Sequence, residues 1–384
     1  MRRPTVLLLF AAIFVGELGW SGIAPLLPDY QEWFGLSDTQ TGFILSVAAV
    51  GILLVSLPAG ALTRRFSVRT LTLWGMGALA GGNVIVGLAH AYPMLLAGRA
   101  LLGVGLGMMW VTATAWLHDA AGEDASKALA MTTAVVGIGS LIGPAFAGFV
   151  GERYSIGTPF VLLGIACALA GVTLVFAPGE EGRVPEPGPP LADMVRAARA
   201  DDLMVTSVML TLVVALMWMT AELLVPLRLD NLGYSATAIG LAFSASAVVF
   251  AATSAFTARG ADRYASIRVA AVWSTVFGIG LTIAAFFVSA PATIVFLLVM
   301  GITTGVMIAL TYPLGAVGAA QGGFSVAVVG ALLNMVWAGS GIVGPSLGGA
   351  LAQSVSDRAT FGLLALFGFG GAWWMWRHSA RVPG

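Results

Sequence analysis

The sequence predicts an all-α membrane protein whose twelve transmembrane helices form two pseudo-symmetric six-helix bundles. Three observations lead to this fold class. Hydrophobic residues make up 58% of the 384 residues and charged residues only 9%, whereas a soluble domain carries about 25% charged residues. The chain also contains twelve apolar stretches of membrane-spanning length. Finally, a segment of the first half returns in the second half.

Each apolar stretch is close to the roughly 20 residues that an α-helix needs to cross the hydrocarbon core of a bilayer. The predicted spans start near residues 5, 41, 70, 93, 128, 158, 202, 237, 268, 291, 324 and 359. The first stretch resembles a secretory signal, but Glu17 interrupts its apolar core and no convincing cleavage site follows. We therefore interpret it as the first transmembrane helix.

The internal repeat is visible in two pairs of segments. GIGSLIGPAFAG at residues 137–148 returns as GSGIVGPSLGG at residues 339–349, with an offset of 201 at the shared Gly-Pro pair. GLSDTQTG at residues 35–42 returns as GYSATAIG at residues 233–240, with an offset of 198. The chain is thus predicted to be one six-helix unit that has been duplicated, and such halves can rock about a central site.

The repeat predicts three parts: a first bundle at residues 1–177, a linker at 178–201 and a second bundle at 202–384. The start of the linker is rich in Pro, Gly and Glu and cannot bury a core, so we expect it to be extended. Its second part has the pattern of a short amphipathic helix.

The basic residues predict the orientation. Most of the 18 Lys and Arg residues fall in segments that share one side of the membrane with the amino terminus. Because cytoplasmic loops are rich in these residues, we expect both termini in the cytoplasm. Arginine strongly outnumbers lysine, which occurs only as Lys127. This bias is typical of high-GC bacteria, so we predict a multi-pass protein of a bacterial cytoplasmic (inner) membrane.

Metal and redox chemistry have little basis in the sequence. The single cysteine, Cys167, excludes an intrachain disulfide, and the three histidines are too scattered for a metal site. We expect no metal, no cofactor and no nucleic-acid partner.

A motif of small residues lies in the fifth predicted span and recurs in part in the eleventh. Its members are Gly139, Gly143, Pro144 and Gly148, with Gly344 and Pro345 as the repeated pair. Small residues let helices approach closely, and proline bends a helix by removing one backbone hydrogen bond. Packing alone is the alternative interpretation, since glycine and proline are common in membrane bundles.

Together, the duplication, the six-plus-six spans, the middle loop and this motif resemble the major facilitator superfamily. Within it, they are similar to the twelve-span drug:proton antiporters, over residues 5–376 at the level of the fold. The resemblance implies the major facilitator fold and alternating access around a central site. It also implies export of a compound in exchange for protons.

The loops after the second and eighth spans resemble the family's gating motif. Their candidate gating residues are Arg64, Arg65, Arg69, Asp262 and Arg263. Arg64 stands where the family has Asp, whereas the second copy keeps the acid as Asp262. We therefore expect a gate latched mainly through Asp262, against the start of the fifth span near Ser126 and Lys127. Anchoring by positive charge alone is the alternative for the arginines.

Three charged residues inside predicted spans are candidates for proton coupling. Arg99 lies several residues inside the fourth span, where a guanidinium costs about 3 kcal/mol on insertion scales. With Gly103 and Gly105 it resembles the family's second motif, and this resemblance implies its role in proton coupling. Glu17 and Glu222 lie in the first and seventh spans. A carboxyl group there can take up and release a proton as its surroundings change between wet and dry. The alternatives are a snorkelling Arg99 and neutral acids bonded to neighbouring backbone.

The candidate substrate-binding residues are aromatic or neutral polar side chains at membrane depth. They are Trp20, Asn83, Trp110, Thr114, Trp218, Tyr312, Asn334 and Trp337. Such a lining suits a flat, amphipathic molecule better than a sugar, which needs many hydrogen-bonding groups. Interfacial anchoring is the alternative for the tryptophans.

These observations predict a proton-coupled secondary transporter that exports small amphipathic or hydrophobic compounds and is not an enzyme. The expected partners are a small-molecule substrate, protons and the lipid bilayer, and the expected assembly is a monomer. One alternative is a proton symporter that imports a metabolite. A multispan membrane enzyme or receptor is disfavoured, because the sequence has no intramembrane nucleophile with a base.

Overall fold

A computed structural model of the chain describes residues 3–63, 65–177, 191–199, 201–260 and 265–379. Within these ranges all regular structure is helical, which confirms the predicted fold class. The first half contains α1 (Arg3–Ser21), α2 (Leu27–Phe34), α3 (Asp38–Leu62), α4 (Val68–Gly87), α5 (Tyr92–Ala121), α6 (Ala125–Arg153) and α7 (Thr158–Val175). The second half contains α8 (Leu191–Ala197), α9 (Asp202–Asn231), α10 (Ala236–Ala258), α11 (Ile267–Phe286), α12 (Ala290–Gln321), α13 (Val326–Ser354) and α14 (Asp357–His378).

The described residues include twelve helical segments long and apolar enough to cross a membrane. They start within a few residues of the predicted positions, and α1 and α2 count together as the first span, Pro4–Phe34. The number of spans is therefore confirmed. Hydropathy predicts it well because a lipid-embedded backbone must satisfy its own hydrogen bonds, which leaves a helix as the natural solution for each apolar stretch.

The first span is broken where its prolines lie. After α1 the chain makes a 3-10 turn, Ala24–Leu26, with Pro25 in its first positions, and α2 then begins with Pro28 near its start. Proline has no N–H to donate and disfavours helical geometry in the preceding residue. The break therefore follows directly from the local sequence.

The duplication is repeated in the turn geometry. The positive-φ residues of the described chain are four glycines, Gly35 (φ 62°), Gly122 (φ 58°), Gly233 (φ 84°) and Gly323 (φ 75°). Gly35 and Gly233 are 198 positions apart, and Gly122 and Gly323 are 201 apart, which are the offsets of the sequence repeat. Only glycine adopts this conformation without strain, so both copies have kept it at the same turns.

A buried junction ties three spans of the first half together at the end of the first span. The Tyr30 hydroxyl shares its one proton between the backbone oxygens of Val86 in α4 and Ile156 before α7, both at 3.4 Å. Its ring lies 6.3 Å from that of Phe160. Tyr30 is 1% exposed, so this junction is fully packed. All of its groups are uncharged.

The second half builds the same junction with charged groups. Arg228 Nε donates to Asp357 Oδ2 at 2.7 Å, and Nη1 donates to the backbone oxygen of Ala284 at 2.8 Å. The Arg228 guanidinium lies 4.6 Å from the ring centre of Phe361. Each of these four residues follows its counterpart in the Tyr30 junction by 198 or 201 positions. The two copies thus keep the three-helix contact and differ in its chemistry.

Close approach of helix backbones accounts for many of the 50 glycines. A Cβ atom at Gly82 in α4 would lie 2.6 Å from the backbone nitrogen of Leu102 in α5. One at Gly105 in α5 would lie 2.6 Å from the backbone nitrogen of Leu79 in α4. Without an aqueous driving force between helices, such close packing is a main source of association in a membrane.

The helices group into two compact units. The first consists of Met1–Pro187 with Gly233–Ser244, and the second of Gly188–Leu232 with Ala245–Gly384. The first turns of α10 thus belong with the first unit. The extended linker predicted at the start of 178–201 lies largely outside the described residues and stays a prediction.

The short helix expected after the linker is present as α8. Met194 packs against a buried cluster that includes Met204 at the start of α9 and Ala319 at the end of α12. On its exposed side, Arg196 pairs with Asp193 at 2.6 Å. The side of α8 that carries Met194 and Ala197 is therefore covered by the second unit, whereas Val195 is 49% exposed.

Candidate functional site

The central contact of the site joins the first and fifth spans. Ser140 in α6 donates a hydrogen bond of 2.6 Å from Oγ to Oε1 of Glu17 in α1. Glu17 is half-buried, near the middle of its span. An ionised carboxylate accepts such a bond, and a protonated one retains a donor for a nearby acceptor. The pair can thus persist in either protonation state.

The small residues of the fifth span make room for this contact. A Cβ atom at Gly139 would lie 2.8 Å from Cβ of Glu17, and one at Gly143 would overlap the Ser21 hydroxyl. Ser21 donates to the backbone oxygen of Glu17 at 2.9 Å and reaches that of Gly139 at 3.5 Å. The small residues of the predicted packing motif therefore bring α6 into direct contact with Glu17 of α1.

Another face of α6 packs against the first turns of α10. A Cβ atom at Gly148 would overlap the backbone oxygen of Ala236, and one at Gly240 would overlap that of Pro144. Ser244 Oγ donates to the backbone oxygen of Leu141 at 2.5 Å. The fifth span is thus held between α1 and the start of α10, with small residues on both sides.

A carboxylate at the end of the fifth span also reaches α10. Glu152 Oε2 accepts a 2.9 Å hydrogen bond from the backbone nitrogen of Thr237 in its first turn. The first amides of a helix lack intrahelical acceptors, and the helix dipole favours an anion there. Glu152 therefore stabilises the start of α10.

Arg99 lies in the same unit, fully buried in α5 at 0% exposure. Its Nε donates to the backbone oxygen of Ile44 in α3 at 3.2 Å, and its guanidinium lies 5.6 Å from the ring centre of Trp20. Trp20 follows Glu17 by three residues, less than one helical turn along α1. A side chain that snorkels to the headgroups would be partly exposed, so this burial disfavours the snorkelling alternative.

Two other predicted residues of the first unit differ in their surroundings. Asn83 is fully buried and packs against Gly19, with Nδ2 donating to the backbone oxygen of Leu79 at 2.9 Å. Its Oδ1 has no hydrogen-bond partner in the described part of the chain. Trp110 is 38% exposed, and the Thr114 hydroxyl donates to its backbone oxygen at 2.8 Å. Trp110 is on the exposed surface of the unit, whereas Asn83 lies in a helix contact.

The remaining candidates lie in the second unit. Glu222 is buried at 6% exposure, and the ring of Trp218, one turn earlier in α9, lies 5.4 Å from that of Phe250. Tyr312 and Asn334 are exposed on α12 and α13, and Trp337 is partly exposed. Glu222 and Trp218 share α9, whereas Tyr312 lies on α12 and Asn334 and Trp337 lie on α13.

The two acids are not equivalent in the repeat. Gly344 packs on Leu216 and Met219 of α9. By the offset of 198 these two residues correspond to Leu18 and Ser21, which contact Gly143. By the same offsets, Glu17 corresponds to Ala215 and Ser140 to Gly341. The hydrogen bond between a carboxyl group and a serine hydroxyl is thus found at this position in the first copy, whereas the glycine packing around it is common to both copies.

The candidate gating residues are only partly described. Arg64, Asp262 and Arg263 lie outside the described residues, so the gate stays a prediction. Arg65 is exposed. Arg69 donates to the backbone oxygen of Val175, reaches that of Leu174 at 3.5 Å, and lies 5.9 Å from the ring centre of Trp116. A cation suits this position, because the last carbonyls of α7 carry partial negative charge.

Two groups of residues at these contacts were not among the predicted ones. Ser140 and Ser21 were missed, although a hydroxyl beside Gly139 in an apolar span was a signal for them. The pair of Arg228 and Asp357 was also missed, and the position of Arg228 two residues after Pro226 was its only signal. No group of three or more His, Cys, Asp or Glu among the described residues could hold a metal ion.

Comparisons with known proteins agree with this architecture. The Major Facilitator Superfamily matches residues 9–330 of the chain. Multidrug resistance protein 2 of Bacillus subtilis (strain 168) is 27% identical over 176 residues, which cover 46% of this chain and 44% of that protein. Quinolone resistance protein NorA of Staphylococcus aureus (strain MRSA252) is 24% identical over 177 residues, or 45% of each chain. The chain thus spans about half the length of the curated relatives it matches.

A solved structure extends the comparison to the whole chain. It is a bacterial homolog of the human lysosomal transporter Spinster, in an inward-facing and occupied conformation. The TM-score is 0.81 at 14% sequence identity, and the match covers 99% of this chain and 97% of that one. At this identity the likeness concerns the fold alone.

Proposed function

Because the chain belongs to the Major Facilitator Superfamily, a family of transporters rather than enzymes, we propose that it is a proton-coupled exporter of small amphipathic or hydrophobic compounds. The observation that carries this proposal is the 2.6 Å hydrogen bond from Ser140 to Glu17, next to the close approach of Gly139 to the acid. A titratable group within an apolar span is costly and marks a functional site by default.

The proposed cycle is an exchange at Glu17. Substrate binding near the acid favours its deprotonation, and reprotonation from the outer side resets the carrier. Ser140 keeps the carboxyl group in position in both states, and Arg99 and Trp20 hold the adjacent part of α1. A ligand can drive this cycle only through its different affinity for the two states.

Two further observations support the substrate class. The relatives named above are called multidrug and quinolone resistance proteins. Trp110 is accessible and Trp218 is partly exposed beside Phe250, so aromatic surface is available to a flat apolar molecule. In this proposal the protein works as a monomer in a bacterial cytoplasmic membrane, with both termini in the cytoplasm.

Reconstituted proteoliposomes with a pH-sensitive dye inside test the proposal. We expect a lipophilic cation or a neutral amphipathic drug to move against its gradient while protons move in the opposite direction. A thermal-shift panel that includes sugars identifies the ligands to use, since a ligand raises the midpoint when it prefers the folded state. Movement of solute and protons in the same direction would instead establish an importing symporter, and transport indifferent to the proton gradient would remove proton coupling.

A further inference from the structure

An apolar cavity of about 700 Å³ opens on the second unit. It is bounded by α10, α11 and α12. Its lining includes Ala252, Thr253, Phe256, Val269, Trp273 and Leu310. The volume is in the range of ligand pockets, about 300–1,000 Å³. Phe256 at its edge is 76% exposed, so the cavity is continuous with the outer surface of the unit.

The lining offers an occupant very little hydrogen bonding. Thr253 already donates its hydroxyl proton within its own helix, to the backbone oxygen of Val249 at 2.7 Å. Thr257 and the indole N–H of Trp273 are the other polar groups of the lining, and its remaining residues are apolar. Sites for polar small molecules contain several convergent polar groups to fix orientation. The cavity is therefore suited to a hydrocarbon chain.

Two arginines lie close in sequence to cavity residues, at the end of α10 and near the start of α11. Arg259 follows the cavity residue Thr257 by two positions, and Arg268 directly precedes the cavity residue Val269. Both arginines are exposed, and neither forms an ion pair with another described residue. Trp273 lies about one turn further into α11, and an amphipathic ring of this kind prefers the headgroup level.

From these observations we infer that the cavity binds an anionic phospholipid. One acyl chain fills the space between α10, α11 and α12, and the phosphate lies between Arg259 and Arg268. Basic residues beside clefts between transmembrane helices are the arrangement that recognises anionic headgroups. The inference requires only that these helices cross a bilayer. It does not depend on what is transported or in which direction.

Native mass spectrometry of the purified full chain tests the headgroup. The protein is exchanged into mild detergent and titrated with phosphatidylglycerol or phosphatidylcholine of the same acyl chains. We expect the first phosphatidylglycerol to bind more tightly. Removing two arginines near an anionic headgroup predicts about a 30-fold weaker affinity. Equal affinity of the wild-type chain for the two lipids would overturn the inference.

Two pairs of variants separate the cavity from general surface charge. Arg259→Ala with Arg268→Ala should lose the preference, whereas Arg196→Ala with Arg199→Ala, an equal charge change at exposed sites of the same unit, should keep it. Ala252→Phe fills the cavity and should weaken binding of both lipids. Ala255→Phe adds the same ring to an exposed position of α10 outside the lining and should have no effect.

The site is rejected if both arginine pairs weaken binding equally, or if Ala255→Phe acts like Ala252→Phe. It is also rejected if a lipophilic cation displaces the bound lipid from the wild-type chain but binds Ala252→Phe poorly, because the cavity would then be a substrate site. Transport is not measured in any arm, so this failure is distinct from failure of the proposed exporter.

Discussion

Glu17 in the first span accepts a 2.6 Å hydrogen bond from Ser140 in the fifth span, at the residue next to Gly139. The glycine is required there, because a side chain at position 139 would occupy the space of the acid. The helix-packing motif and the candidate proton carrier are thus two parts of one contact.

Glu17→Gln is expected to abolish proton-driven transport and to leave ligand binding largely intact, because the amide keeps the shape of the acid but cannot titrate. Counterflow of labelled substrate, which needs no proton gradient, should survive in the same proteoliposomes. Glu32→Gln makes the same change at an exposed position of the first span and should behave as wild type. A Glu17→Gln variant that still concentrates substrate would remove Glu17 from the mechanism. Glu222→Gln should have a milder effect, mainly on substrate range.

Gly139→Ala is expected to destabilise the protein by about 1–3 kcal/mol, the usual cost of overpacking. The new methyl group would lie 2.8 Å from Cβ of Glu17. Gly137→Ala is the matched control in the same helix, because a Cβ atom there meets nothing within 4 Å. The control should be neutral or stabilising by about 0.5–1 kcal/mol, since alanine is the better helix former. Thermal unfolding in detergent measures the stability of both variants. Equal midpoints would contradict the close contact between Gly139 of α6 and Glu17.

Arg99→Lys is expected to impair transport strongly and Arg99→Ala to abolish it, with both variants inserted in the membrane. Lysine keeps the charge but loses the planar group that bonds Ile44 and lies over Trp20. Arg358→Lys and Arg358→Ala, at an exposed position outside the candidate gate, are the controls for a change of charge. Transport rates normalised to membrane-inserted protein provide the measurement. Normal transport by Arg99→Ala would show that this buried arginine has no part in the cycle.

Arg228→Met is expected to destabilise the protein by about 3–5 kcal/mol, because it leaves Asp357 without its partner in a partly buried site. The double variant Arg228→Met with Asp357→Asn should recover part of this loss, since the junction of the first half is stable with a neutral tyrosine. Arg358→Met, at the exposed neighbouring position, should cost little. A double-mutant cycle on thermal or denaturant unfolding gives the coupling energy. Additive effects would mean that the ion pair is dispensable to the junction.

The sequence by itself determined the fold class, the twelve spans and the duplication. Each span is an apolar stretch that can satisfy its backbone only as a helix, so its existence is a local property. The repeat offsets of 198 and 201 also predicted which turns and contacts would correspond, and the four positive-φ glycines follow them. The sequence also showed that the glycine motif of the fifth span forms a packing surface, and that Arg99 lies well inside the fourth span.

Only the tertiary structure decided which side chains meet. Ser140 and Glu17 are 123 positions apart, and Arg228 and Asp357 are 129 apart. Nothing in the sequence distinguishes Asn83, buried in a helix contact, from Trp110, which is exposed. The physical reason is that a transmembrane helix is apolar on all sides, so its pattern does not mark an inward face as it does in a soluble amphipathic helix. The rotation of each helix about its axis, which selects these contacts, is set by close packing with its neighbours.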